Sequence, residues 1–233
     1  MQEAIHPYSS NLISYTDYVQ FALDKGYQKT NDAPSTKCPV CNRNMKVRGG
    51  QKKDDGHFYH NDSLFCPTKK PSARPYLGLT PTVPDINAMK INKQFVIDNL
   101  EKIWKKLNSI IPFLHINEFI EILKEAKKLN VYGYSNLNPQ RLPYIFVTLI
   151  NFLPSKSKKK ERKLKFCFFY ESTIQTYEEL WINQGYFSKL VRISYKNSET
   201  KRVKIISTDI NYLDENGYEL YDSYRQKCLA HLT

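Results

Sequence analysis

Two cysteines two residues apart, in Cys38-Pro39-Val40-Cys41, constrain this chain more than any other feature. The spacing puts two thiolates on one tight turn, close enough to grip a single tetrahedral metal ion, so further donors must arrive from elsewhere. His57, His60 and Cys66 lie just downstream. Cys38, Cys41, His60 and Cys66 read as Cys-x2-Cys-x18-His-x5-Cys, a spacing that fits a closed, structural Zn²⁺ site. His57 is the alternative to His60. In an extended strand the two histidines point to opposite faces, so one ion takes one of them. His60 is preferred because His57 directly follows the turn sequence Asp54-Asp55-Gly56.

The residues around the motif read as a zinc ribbon. Met45-Lys46-Val47-Arg48 alternates apolar and basic, Gly49-Gly50 marks a turn, and His57-Phe58-Tyr59-His60 supplies a returning strand. Before it, residues 1–37 form an N-terminal helix and linker. The helix spans 15–25, with Thr16 placed to cap it and Gly26 to end it in a left-handed conformation. After it, Pro67, Pro71, Pro75, Pro81 and Pro84 make the rest of 38–85 an extended connector. Residues 86–153 carry apolar residues at helical spacing over 90–107, 117–129 and 139–153, with Asn117 placed to cap the second helix. His115, beside it, reads as a capping or core histidine. Residues 154–233 open with a basic linker and continue β-rich: strands near Leu164–Tyr170, Tyr186–Tyr195 and Arg202–Asp209, then a closing helix within 218–232. The expected fold class is α+β: a small zinc ribbon, a three-helix central block and a C-terminal antiparallel β-hairpin region.

Cys38-Pro39-Val40-Cys41 followed by Gly56-His57-Phe58-Tyr59-His60 resembles the N-terminal zinc finger of the competence CoiA-like family, which carries a Cys-Pro-x-Cys knuckle and then a His-Phe-x-His element. The resemblance covers roughly 30 residues. It implies zinc binding and a bacterial or phage setting. The nuclease-like domain with an acidic metal-binding core that follows the finger in that family has no counterpart here. The nearest Glu-x-Lys pattern, Glu199-Thr200-Lys201, falls in a predicted loop.

Charge points to the partner. The chain carries a net +12, and the excess is uneven: ten Lys/Arg against four Asp over 38–93, fifteen Lys/Arg against ten acids over 154–233. Such a surface attracts polyanions, nucleic acid before others. Candidate phosphate contacts are Arg43, Lys46, Arg48, Lys52 and Lys53 on the ribbon, and Lys69, Lys70 and Arg74 after it. A second group is the run Lys156, Lys158, Lys159, Lys160, Arg162 and Lys163. That run reads equally as a solvated linker that keeps the following apolar strand soluble.

The expected function is zinc-dependent, non-catalytic binding of DNA or RNA, as a regulator or an accessory subunit. The alternative is a zinc-stapled subunit that docks on a protein partner through its helices, and a further alternative is a nuclease built on His57 or His60. Two zinc-enzyme classes are excluded. No His-Glu-x-x-His helix is present, and no His-x-Glu element precedes the Pro-Cys pair, since His6 is followed by Pro7 and Tyr8. No small-molecule cofactor is implied. Met1–Ser10 is polar and the longest apolar run, Leu142–Leu153, is too short to span a bilayer, so no membrane partner is expected. Five cysteines do not make a disulfide framework; Cys167 in its apolar run reads as a core thiol, Cys228 has no evident partner, and the cytoplasm is the expected compartment.

Overall fold

Three-residue strands begin the chain, too short for any hydrophobic period to announce them. Glu3–Ile5 (β1) and Leu12–Ser14 (β2) pair antiparallel in the register Glu3↔Ser14, Ala4↔Ile13, Ile5↔Leu12. The computed structural model describes residues 1–49, 56–64, 66–69, 83–155, 162–170, 189–196, 200–217 and 219–232. Helix α1 (Tyr15–Asp24) follows β2 without a gap, because Ser14 itself is the N-cap: its hydroxyl accepts from the Asp17 backbone N–H at 3.1 Å. The cap is thus Ser14 and not Thr16. Gly26 lies just past the helix end with φ 82°, as a left-handed terminator requires.

The first sheet continues through Thr36–Lys37 (β3), Asn44–Arg48 (β4) and His57–Tyr59 (β5), in the order β2-β1-β3-β4-β5, every pairing antiparallel. Four helices come next: α2 (Ile86–Asp98), α3 (Leu100–Ile110), α4 (Ile116–Lys128) and α5 (Leu142–Leu149). The helix expected over 90–107 is therefore two. Asn99 breaks it with φ −114° and ψ 18°, and its side-chain amide donates to the Phe95 carbonyl at 2.9 Å, so the polar side chain satisfies the end of α2. At α4 the cap is His115, whose Nδ1 accepts from Asn117 N at 3.2 Å while Glu118 reaches back to His115 N at 3.0 Å. Asn117, expected as the cap, is the residue being capped.

The second sheet is Lys165–Tyr170 (β6), Leu190–Lys196 (β7) and Thr200–Ile206 (β8), antiparallel in that order. The fold class is mixed α+β, as expected. This sheet explains the unbroken apolar run of β6, because both of its faces are covered. Phe166, Phe168, Tyr170 and Leu190 join the core built by α2–α5, whereas Cys167, Phe169, Val191, Ile193 and Tyr195 join a second core with Ala4, Ile13, Tyr18, Val47 and Phe58. A strand buried on both sides loses the polar half of its alternation. Each Phe hidden this way stabilises by about 1.5–3 kcal/mol in area terms. The Glu3 carboxylate also accepts from Val203 N on β8 at 2.5 Å, joining the two sheets at an edge.

After β8 the chain is tied back to the helices. Tyr144 donates its hydroxyl to the Asp209 carbonyl, Lys106 pairs with the Asp209 carboxylate at 3.3 Å, and Lys105 pairs with Glu215 at 2.8 Å. The last helix, α6 (Asp222–Leu229), buries Cys228 in the first core.

Candidate metal centre

The knuckle is built from local hydrogen bonds. Cys38 N donates to Arg43 O at 2.8 Å and Asn42 N donates to Cys38 O at 2.9 Å, reversing the chain between β3 and β4. Asn42 sits at φ 53°, the left-handed region that asparagine tolerates better than most side chains. The Cys38 sulfur accepts from Val40 N at 3.4 Å, and the Cys41 sulfur accepts from Arg43 Nε at 3.3 Å. The Arg43 N–H favours the thiolate at Cys41, the form that ligates metals.

The other donors arrive through β5. It pairs with β4 in the register Lys46↔Tyr59, Val47↔Phe58, Arg48↔His57. His57 and Tyr59 therefore share one face, their rings meeting edge-on with centroids 6.3 Å apart, while Phe58 points into the second core. His60 continues on the Phe58 side, with Nε2 3.7 Å from the Cys41 sulfur. The Cys66 sulfur is 4.0 Å from that of Cys38. Cys38, Cys41, His60 and Cys66 place all four donor atoms within 4.8 Å of one another and could hold a metal ion, and His57 stands outside this cluster. A tetrahedral ion with metal–sulfur bonds of about 2.3 Å and metal–nitrogen bonds of about 2.0 Å keeps its S···S pairs about 3.8 Å and its S···N pairs about 3.5 Å apart. The Cys38–Cys66 and Cys41–His60 separations fall within tenths of an ångström of those values, and the widest pair of donors stays within 4.8 Å.

So close a set cannot keep ordinary proton affinities. Hydrogen bonding to Cys41 and Cys66, with burial added, pushes the Cys38 thiol up. Hydrogen bonds with Cys38 and Cys66 pull Cys41 down, against its own burial. Burial opposes a charged His60, but its hydrogen bonds to Cys41 and Cys66 outweigh this and lift it to about 9. The groups compete for protons in a space where one cation could satisfy every donor at once. Three sulfurs and one imidazole suit a soft or borderline ion. His60 turns Nε2 toward the Cys41 sulfur, and its Nδ1 is buried without a hydrogen-bond partner among the described residues.

Four outer residues, Thr68, Asp62, Arg43 and Lys69, hold the donors in place. Thr68 is buried with its hydroxyl 3.1 Å from the Cys66 sulfur and 3.5 Å from His60 Nε2. Asp62 accepts from Arg43 at 2.5 Å and from Lys69 at 3.0 Å, and Lys69 also donates to the Leu64 carbonyl at 2.7 Å, so the chain between His60 and Cys66 is strapped to the knuckle. The two cations hold the Asp62 carboxyl below its ordinary range, the Lys69 hydrogen bond most strongly. Sequence reading missed Thr68 and Asp62. The only signal for Asp62 was its place between two donors, and Thr68 offered none.

The expected phosphate contacts divide. Lys46 and Arg48 are exposed on β4, and Lys163 is exposed near the start of β6. Arg43 and Lys69 are engaged with Asp62, so they serve the site's own framework. Arg162 needs correcting outright: it is only 5% exposed. Its guanidinium forms a bidentate pair with Glu118, with the second contact at 3.0 Å, and donates to the carbonyls of Leu153 at 2.6 Å and Phe113 at 3.3 Å. The Ser155 and Arg162 backbones meet at 2.8 Å, fixing the two ends of the basic run. Lys52, Lys53, Lys70, Arg74, Lys156, Lys158, Lys159 and Lys160 lie outside the described residues. Among the described residues no helix is long and apolar enough to cross a membrane.

Compared with known proteins, the chain matches no family model, no curated protein and no solved structure.

Proposed function

We propose that Cys38, Cys41, His60 and Cys66 hold one structural Zn²⁺, that the ion makes a zinc ribbon of β3, β4 and β5, and that the ribbon binds nucleic acid without catalysing a reaction. The donor set fits the ion: it is complete within the protein, as in structural rather than catalytic zinc sites. When bound, the ion supplies a fixed crosslink between knuckle and returning strand.

One observation carries the binding half of the reading. The outward face of the β4–β5 pair presents Lys46 and Arg48 opposite Tyr59 and His57, with the Arg48 guanidinium over the Tyr59 ring at 5.1 Å. Met45, Val47 and Phe58 fill the inward face, so this outward face is spared from the core. Cations beside an aromatic ring on a stiff two-stranded platform suit contact with phosphates and bases. The net charge of +12 supplies long-range attraction. The local likeness to the CoiA-like finger agrees with zinc at this position.

The test is a binding titration of DNA and RNA at rising salt. Binding that weakens steeply with salt is expected, with Arg48→Ala lowering affinity and reducing the logarithmic salt slope by about 1. Absence of binding at low salt removes the reading. A second reading, docking on a protein partner, draws on the exposed Val83, Ile86 and Ile91 at the start of the helical region. It calls for an interface insensitive to salt and lost on Ile86→Lys.

A further inference from the structure

We infer that the cleft beside the cysteine knuckle takes one nucleotide of a single-stranded nucleic acid, with the base on Tyr8 and the phosphate between Lys37 and Lys189. This rests on the nucleic-acid reading above and names the form of ligand and a second contact surface.

The cleft has a volume of about 330 Å³, and its walls come from three parts of the chain. The β1–β2 turn gives His6 and Tyr8, the knuckle and the strand leading into it give Asn42 and Lys37, and the residue before β7 gives Lys189. A space of this size sits at the small end of ligand sites, enough for one nucleotide.

Charge selects an anion. No carboxylate lines this cleft, whereas the cleft beside Gly56 has Glu3 on its wall and the one beside Gly217 has Asp98 and Glu101. Neither Lys37 nor Lys189 pairs with a carboxylate among the described residues. Unneutralised cations around a concavity concentrate anions there.

The aromatic wall selects a base. Tyr8 is 67% exposed, yet its ring is held. It stands edge-on to His6 and Phe21 at 6.1 and 5.9 Å, and its backbone N–H donates to His6 Nδ1 at 3.1 Å. The turn that carries it is closed by a 2.8 Å bond from His6 N to Asn11 O. An exposed ring with its orientation already fixed stacks on a base at little entropic cost. The Asn42 amide adds a donor and an acceptor for a base edge. Bases in a duplex are stacked on each other, so only a single strand offers a free face to Tyr8.

The experiment is fluorescence anisotropy on the full zinc-loaded chain at low salt, with a short labelled single-stranded oligothymidylate and a duplex of the same length as probes. Tyr8→Ala is expected to weaken single-strand binding about tenfold and leave duplex binding unchanged, with Tyr8→Phe restoring it. Lys189→Glu is expected to weaken the single strand as well. Tyr8 is exposed, and an unchanged unfolding midpoint checks that the variants fold. Single-strand binding untouched by Tyr8→Ala but reduced by Arg48→Ala overturns the cleft and leaves the ribbon reading standing. Equal losses on both probes overturn the single-strand preference, and no binding of either probe by the unaltered chain overturns both readings.

Discussion

Gly56 occupies a place where a single methyl group does not fit. A Cβ there would lie 1.8 Å from Cζ of Tyr15, whose ring packs edge-on against Phe58 at 6.5 Å. Gly56→Ala must therefore displace the ring next to β5, the strand that leads into His60. A loss of about 1–3 kcal/mol is expected, read as a lower urea midpoint, and an unchanged midpoint would show that the ring swings away freely. Arg162 and Lys163 make a sharper comparison. They are adjacent, equally basic, and indistinguishable as a charge run in the sequence. Arg162 differs only because folding brings Glu118, 44 residues away, to its guanidinium. Arg162→Ala leaves that carboxylate without its cation, though still capping α4 through His115 N, and leaves several carbonyls without their donor; it is expected to cost about 3 kcal/mol, whereas Lys163→Ala should change stability by less than about 0.5 kcal/mol. Equal effects would contradict the buried pair. The clustered cysteines and His60 were legible for the opposite reason: their chemistry is local, since a two-residue spacing already fixes two sulfurs on one turn. The two-residue period of a strand said that one ion takes only one of His57 and His60, and the turn sequence before His57 favoured His60. Thr68 was illegible because its role depends on where the Cys66 sulfur ends up.

At the scale of elements, β6 decides how the molecule is layered. Phe168 and Phe169 are neighbours in sequence but belong to different cores. Phe168→Ala and Phe169→Ala are each expected to cost about 3–5 kcal/mol in chemical denaturation. A sheet with one wet face would give one large loss and one small one, and that result would contradict the two-core arrangement. The sequence of β6 told of burial, because five of its six residues are apolar, but not of what covers each side. Helix-scale reading succeeded where the stripe was strong, as in α4, and failed at Asn99. One polar residue among helical-period apolar ones carries no mark of a break until its amide is seen on the Phe95 carbonyl. The β1–β2 hairpin escaped notice because three residues cannot establish a period.

Across the whole molecule the cysteine–histidine cluster is part of the packing and not an appendage. Cys38 and Cys66 are fully buried members of the second core, which shares the β6–β8 sheet with the helical core. Whatever fixes the four donors therefore also fixes the platform of Lys46, Arg48 and Tyr59. The excess of positive charge is more restricted than the total of +12 implies. Lys102, Lys105 and Lys106 on α3 are tied to the segment after β8, and Arg43 and Lys69 to Asp62. The described cations left exposed include Lys37, Lys46 and Arg48, beside the cysteine–histidine cluster. Composition could announce the excess but not which lysines folding would occupy. The most direct test of the account is the metal content of the chain purified without chelators, measured by elemental mass spectrometry beside its cooperative unfolding. One zinc per chain is predicted, with unfolding that becomes broad or shifts to lower denaturant once the ion is stripped; a chain free of transition metal that unfolds just as cooperatively would contradict it.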